Sequence, residues 1–139
     1  MTTTLAPPPA APTIAGPPPG QWTVADWEQL PEDTIRYEIV GGTLLMTTSP
    51  SNFHEWIVAR FVRYVGMYAE EHGLGFWFVG PAGVILSEQD AVQPDFFFVR
   101  AARRDIIRRR TEGPPDLVVE VLSPTTSATA TNAKRNTYL

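Results

Sequence analysis

The chain has 139 residues, 43% of them hydrophobic and 11% aromatic, with a net charge of -4; this is the make-up of one globular domain rather than a disordered chain. It contains no cysteine, which excludes disulfides and thiolate chemistry and leaves any metal site to oxygen ligands or to His54 and His72. No apolar run is long enough to span a membrane, the first residues lack the basic start and apolar core of a signal peptide, and a cytoplasmic location is therefore expected.

Residues 1–21 form a Pro-rich segment expected to be an extended, disordered tail. The folded domain is expected over residues 22–139. Thr23 is placed to cap a short helix running to Leu30, with Asp26 near its positive end. Ile35 to Thr47 reads as a hairpin around the Gly41-Gly42 turn. Asn52 followed by Glu55 resembles a capping box, opening a helix that runs to about His72 and stops at Gly73. Trp56, Ile57, Phe61, Tyr64 and Tyr68 recur at helical spacing and are expected to face the core.

Three strand-like runs follow: Phe76–Val79, Val84–Leu86 and Ala91–Val99, separated by Gly80-Pro81 and Glu88-Gln89-Asp90. Six of the 11 basic residues fall between Arg100 and Arg110. This segment reads as a short basic helix, either a solvated face or a patch that contacts phosphates. Asp116 to Leu122 reads as a strand, and after a Ser/Thr-rich loop a last helix begins near Asn132. The order of elements predicts an α/β domain, a mixed sheet flanked by helices.

Two carboxylates stand in apolar surroundings. Asp95 lies in "VQPDFFFV" and Glu120 in "DLVVEVLS". Alternation along a strand puts Asp95 on a face with Phe97 and Val99, and Glu120 on one with Val118 and Leu122. A carboxylate buried among such side chains needs a partner or a cation. If the strands are neighbours, both acids point at one spot, and a divalent cation relieves their repulsion. Oxygen-only ligands suit Mg2+ or Mn2+. Two other readings stay open: Asp95 as a turn residue after Pro94, and Glu120 as the ion-pair partner of an arginine in the basic segment.

The segments "LPEDTIRYEIVGGTLL", "SPSNFHEWIVARFVRYV", "EEHGLGFWFVGPAGVILSEQDAVQPDFFFV", "GPPDLVVEVLSP" and "AKRNTYL" together resemble the Uma family (Uma-two) of the PD-(D/E)XK nuclease superfamily. "VQPD" followed by "PPDLVVEVLSP" is the most specific part of the likeness. The resemblance implies a restriction-endonuclease-like fold in which Asp95 is the acid of the Pro-Asp motif and Glu120 the second acid. The superfamily's lysine usually stands two residues after that acid, where this chain has Leu122; in the resembling family it moves to the following helix, which points to Lys134. Glu38 matches an accessory acid, and His54 sits where the family often has histidine.

The resemblance implies a Mg2+ (or Mn2+) dependent endonuclease acting on DNA as a homodimer. Asp95, Glu120 and the Val121 carbonyl would hold the cation, while Lys134 and Glu38 would act beside it. The alternative is a catalytically inactive nuclease-fold module that binds nucleic acid or a protein. Family members continue beyond the point matching Leu139, so the resemblance also implies a domain truncated at its C-terminus.

Overall fold

The structure, a computed structural model, describes residues 13–124 and 128–139. Residues 1–12 of the Pro-rich segment and 125–127 of the Ser/Thr-rich loop lie outside the described residues. The rest of the Pro-rich segment touches the domain. Ile14 packs against a buried cluster of Trp22, Trp27, Tyr37, Ile39 and Ala91, and the Gly20 N–H donates to the Gly42 carbonyl at 2.9 Å. An extended strap along the domain replaces the free tail expected for these residues.

Helix α1 (Val24–Trp27) is held by a true capping box: Thr23 accepts from the Asp26 N–H, and Asp26 accepts from the Thr23 N–H. It ends earlier than Leu30. The Trp27 indole turns inward and donates to the Tyr37 carbonyl at 2.7 Å, so its ring fills the core without stranding its polar nitrogen.

Strands β1 (Arg36–Val40) and β2 (Thr43–Thr47) form the expected hairpin, in register from Arg36–Thr47 to Val40–Thr43. Gly41 and Gly42 both adopt positive φ, the conformation that a two-residue hairpin turn requires. The first sheet continues with β4 (Val84–Ser87), β5 (Asp90–Val92) and a short β7 (Thr111–Glu112), in the order β2-β1-β5-β4-β7. β7 runs parallel to β4.

A second sheet has the order β3-β6-β8, with β3 (Gly75–Val79), β6 (Phe96–Arg100) and β8 (Leu117–Val119) all antiparallel. The single run expected from Ala91 to Val99 is thus two strands in two sheets. The crossover is Gln93-Pro94-Asp95. Pro94 cannot donate to a ladder, and it lies fully buried between them. The expected α/β class holds, with two sheets in place of one.

Helices α2 (Asn52–Phe61) and α3 (Met67–Glu71) are joined by a π-helical turn, Val62–Gly66. Their orientation differs from the sequence expectation. Of the five residues expected to face the core, Ile57 and Phe61 are half-buried and Phe61 packs against Phe96, but Trp56, Tyr64 and Tyr68 are exposed, while Val58, Gly66 and Ala69 are buried. The reason is volume. Trp77 and Phe96 rise from the second sheet, and a Cβ at Gly66 would already stand 3.0 Å from the Trp77 ring. Beside the Trp77 ring only a small side chain fits, and the wider π turn keeps Gly66 and Ala69 on the buried side. The N-cap also differs: Ser51, not Asn52, caps α2 by accepting from the His54 N–H.

The basic segment is a kinked 3-10 stretch, Ala101–Ile106, rather than an α-helix. Helix α4 spans Ala128–Thr137, beginning ahead of Asn132. Its Tyr138 flank packs against the second buried cluster, Val84, Val92, Phe97 and Val99. No helix among the described residues is long and apolar enough to cross a membrane.

Candidate active site

The site lies where the two sheets part. Asp95 ends the crossover and precedes β6; Glu120 follows β8. In the β6–β8 register Phe96 pairs with Val119, so Asp95 and Glu120 are each the next residue beyond the same pair. The topology therefore brings the two acids to one end of neighbouring strands. β8 is shorter than the expected Asp116–Leu122 strand. The alternation argued for Glu120 stops at Val119, and Leu122 is exposed rather than part of an apolar face.

Glu38 reaches the site from β1, where it is buried beside Tyr37 and Ile39. Lys134 reaches it from α4. All four side chains, with Val121, line a cavity of about 590 Å³. The Lys134 ammonium lies 2.7 Å from Glu38 Oε1 and 2.6 Å from Glu120 Oε1, so one cation bridges two carboxylates. Glu38 Oε1 also accepts the Gln93 N–H at 2.5 Å. The expected alternative of an arginine from the basic segment pairing with Glu120 is not what occurs; Lys134 takes that place.

Asp95 is held on both oxygens. Arg36 donates to Oδ1 at 2.8 Å. The Val121 N–H donates to Oδ2 at 2.8 Å, and His54 Nε2 lies 3.2 Å from the same oxygen. Asp95 is thus more than a turn residue after Pro94. Arg36 comes close because residue 80 is glycine: a Cβ there would stand 2.8 Å from its guanidinium.

Sequence reasoning missed two residues, Arg36 and Tyr138. Each carried a readable signal. Arg36 is two residues before Glu38 in a strand, hence on its face. Tyr138 is four residues after Lys134, at the turn that closes α4, hence on the same side, and its hydroxyl donates to Glu120 Oε1 at 2.7 Å.

The charges tune one another. Burial pushes the Glu120 carboxyl above the usual range; Lys134 and the Tyr138 hydroxyl pull it back only in part, and the Glu38 charge adds to the rise. Burial, then the Glu120 charge, drive the Tyr138 phenol upward, so it stays protonated and keeps donating. For Arg36, burial opposes the charge, but Asp95, Glu38 and Glu120 together outweigh it and raise its pKa.

Three carboxyl groups, Asp95, Glu38 and Glu120, face two basic side chains, Arg36 and Lys134. All donors are oxygens, the ligand type of Mg2+ and Mn2+. Among the described residues no group of three or more His, Cys, Asp or Glu is arranged as a ready metal cage. Mg2+ usually binds through one or two carboxylates and keeps waters and substrate oxygens for the rest, so the Asp95–Glu120 pair fits that cation by chemistry.

The Arg100–Arg110 segment is not part of this cavity. Arg100 and Arg103 pair with Asp116, Arg108 with Glu112, and Arg110 with Glu28. Its charge is largely spent on holding the 3-10 stretch, β7 and α1 together.

A family model described as "Putative restriction endonuclease", Uma2, matches residues 24–139. The chain belongs to the Uma2 family. Among solved structures it is similar to a protein from Anabaena variabilis ATCC 29413 described as a putative nuclease belonging to DUF820, with a TM-score of 0.67 and 19% identity. That match covers 79% of this chain and 63% of the other, so this Uma2 chain spans less than two thirds of the Anabaena protein. The likeness is one of fold. No curated protein matches the sequence.

Proposed function

We propose that this chain is a Mg2+- or Mn2+-dependent endonuclease that hydrolyses DNA phosphodiester bonds. The observation that carries the reading is the Lys134 ammonium held between Glu38 and Glu120 in the cavity that Asp95 also lines. Family membership supports a nuclease-like reaction class.

Asp95 and Glu120 would hold the cation, with the Val121 carbonyl as a further ligand. When bound, the cation lowers the pKa of a water and binds a phosphate oxygen. The chain's own groups do the rest. Arg36, His54 and the Val121 N–H fix the Asp95 carboxylate in one orientation. Glu38 anchors Lys134 beside Glu120, where an ammonium stabilises negative charge as it develops on the phosphate. Tyr138 holds the same Glu120 oxygen as Lys134, which limits the rotamers of that acid.

One observation favours a second reading, a catalytically inactive module that binds nucleic acid or protein. All three carboxylates already have protein partners, and such a closed network needs no metal. One assay separates the two. Supercoiled plasmid and single-stranded circular DNA are each incubated with the protein and Mg2+ or Mn2+, beside Asp95→Ala and Glu120→Ala. Cleavage of either DNA by the parent that vanishes in both variants supports the enzyme; cleavage that survives in either variant, or cleavage of neither DNA by the parent, refutes it. A metal-dependent rise in melting temperature should disappear in the same two variants.

A further inference from the structure

The face of α2 and α3 turned away from the sheets carries a line of rings that the fold leaves outside. Phe53, Trp56, Tyr64 and Tyr68 are 69%, 55%, 57% and 55% exposed. Phe53 and Trp56 are stacked, with centroids 6.1 Å apart. Arg60 sits between the rings, 4.8 Å from the Trp56 centroid and 5.2 Å from that of Tyr64, and Arg63 lies 5.5 Å from Tyr64. Large apolar side chains in a contiguous exposed patch mark a contact surface. This one starts at the candidate active site: Phe53 lines the same cavity as Asp95 and Glu120, and its neighbour His54 contacts Asp95.

We propose that this face is a track for single-stranded nucleic acid leading into the site. The ligand class rests on the nuclease reading above. Bases would stack on Phe53, Trp56 and Tyr64, while Arg60 and Arg63 meet phosphates; the Tyr68 ring is already stacked on His72, with centroids 4.1 Å apart. Every base has a π face, so such a track tolerates any sequence. A guanidinium stacked on a ring keeps its in-plane donors for a phosphate oxygen. This supplies what the net charge of -4 and the ion-paired Arg100–Arg110 segment do not: local cations beside the site.

A second copy of the chain is the competing occupant, since aromatic and arginine side chains also populate protein interfaces. Charge decides against it. A two-fold, antiparallel pairing centred on this line sets Arg60 and Arg63 of one copy against the same two arginines of the other. Like charges are repulsive in a closing interface, whereas a polyanion meets them with the opposite sign. Duplex DNA is disfavoured because its bases are already stacked and cannot reach the rings.

The test is fluorescence anisotropy of labelled oligo-dT on the full chain in EDTA, where no cleavage occurs, with oligo-U and an equal-length duplex beside it. Binding to oligo-dT or oligo-U is expected, weakened about ten-fold by Trp56→Ala and by Arg60→Ala, and weaker by a similar factor for the duplex. Arg60→Ala should also lower the salt slope by about 0.7. Which oligonucleotide binds tighter identifies the sugar. Both replaced side chains are exposed, so unchanged melting temperatures verify folding.

Oligonucleotide binding that neither variant weakens overturns the track, even if DNA cleavage stands. Cleavage absent while this binding and its loss in the variants persist rejects the nuclease and keeps the track. A concentration-dependent dimer abolished by Trp56→Ala, without oligonucleotide binding, assigns the face to a second copy and overturns the proposal.

Discussion

Replacing Lys134 with methionine removes one charge and little volume, and it isolates the contact that closes the site. In the parent, Lys134 Nζ is 2.7 Å from Glu38 and 2.6 Å from Glu120, and the three side chains are 13%, 5% and 25% exposed. Removing one partner of a buried pair costs about 3–5 kcal/mol, because the remaining charge stays desolvated and uncompensated. Here two carboxylates are left, and they repel. Glu120 is a quarter exposed, so water screens part of the loss and the lower end applies, about 3 kcal/mol. For a domain of this size each kcal/mol moves the melting temperature by about 4 °C, so the variant should melt about 12 °C below the parent. Calorimetry at neutral pH in EDTA measures it. The double variant Lys134→Met/Glu38→Gln should recover part of the deficit, since one of the two facing charges is gone. Hydrogen exchange should show α4 opening first, because Lys134 and Tyr138 are its polar anchors on the sheets. A Lys134→Met melting temperature within about 3 °C of the parent's would refute the buried-pair argument.

Three further outcomes check other parts of the fold. Gly75→Ala should destabilise by about 3 kcal/mol in urea titration, since its Cβ would stand 2.2 Å from the Val99 carbonyl oxygen and 2.7 Å from Arg100 Cα, both backbone. Ser51→Ala should cost about 1 kcal/mol while Asn52→Ala costs little, which distinguishes the observed α2 cap from the one expected from sequence. At Asp116, the Arg100 N–H and then Arg103 outweigh burial and hold the carboxyl below its ordinary 3.8. A depressed folded pKa stabilises above the ordinary value, and that contribution is lost as pH falls through the folded one. Asp116→Asn should therefore lower the melting temperature at neutral pH and flatten its decline below pH 4; a decline as steep as the parent's would count against this.

What could be read from the sequence was local. The Gly41-Gly42 hairpin, the Thr23 cap and the turn at Gly73 follow from neighbours in the chain, and the structure has them where expected. Asp95 and Glu120 were legible because a carboxylate among Phe and Val side chains is costly wherever the strand ends up. Misreadings came where a second element decides. Aromatic spacing on α2 and α3 indicates a face but not its direction; Trp77 and Phe96, from strands later in the chain, occupy the space beneath, so Phe61 alone of the rings packs against them, Trp56, Tyr64 and Tyr68 are turned out, and Gly66 and Ala69 are turned in. Partner choice at the site has the same character. Lys134 was reached only through the family resemblance, since nothing near Glu120 announces it, and nothing near Asp95 announces Arg36, whose approach depends on a glycine at position 80. A side chain's own neighbourhood reveals that it needs a partner. The crossover at Pro94, by sending β5 and β6 to different sheets, settles which partner it gets: it leaves a gap between the sheets where Glu38 from one and Asp95 and Glu120 from the other line a single cavity.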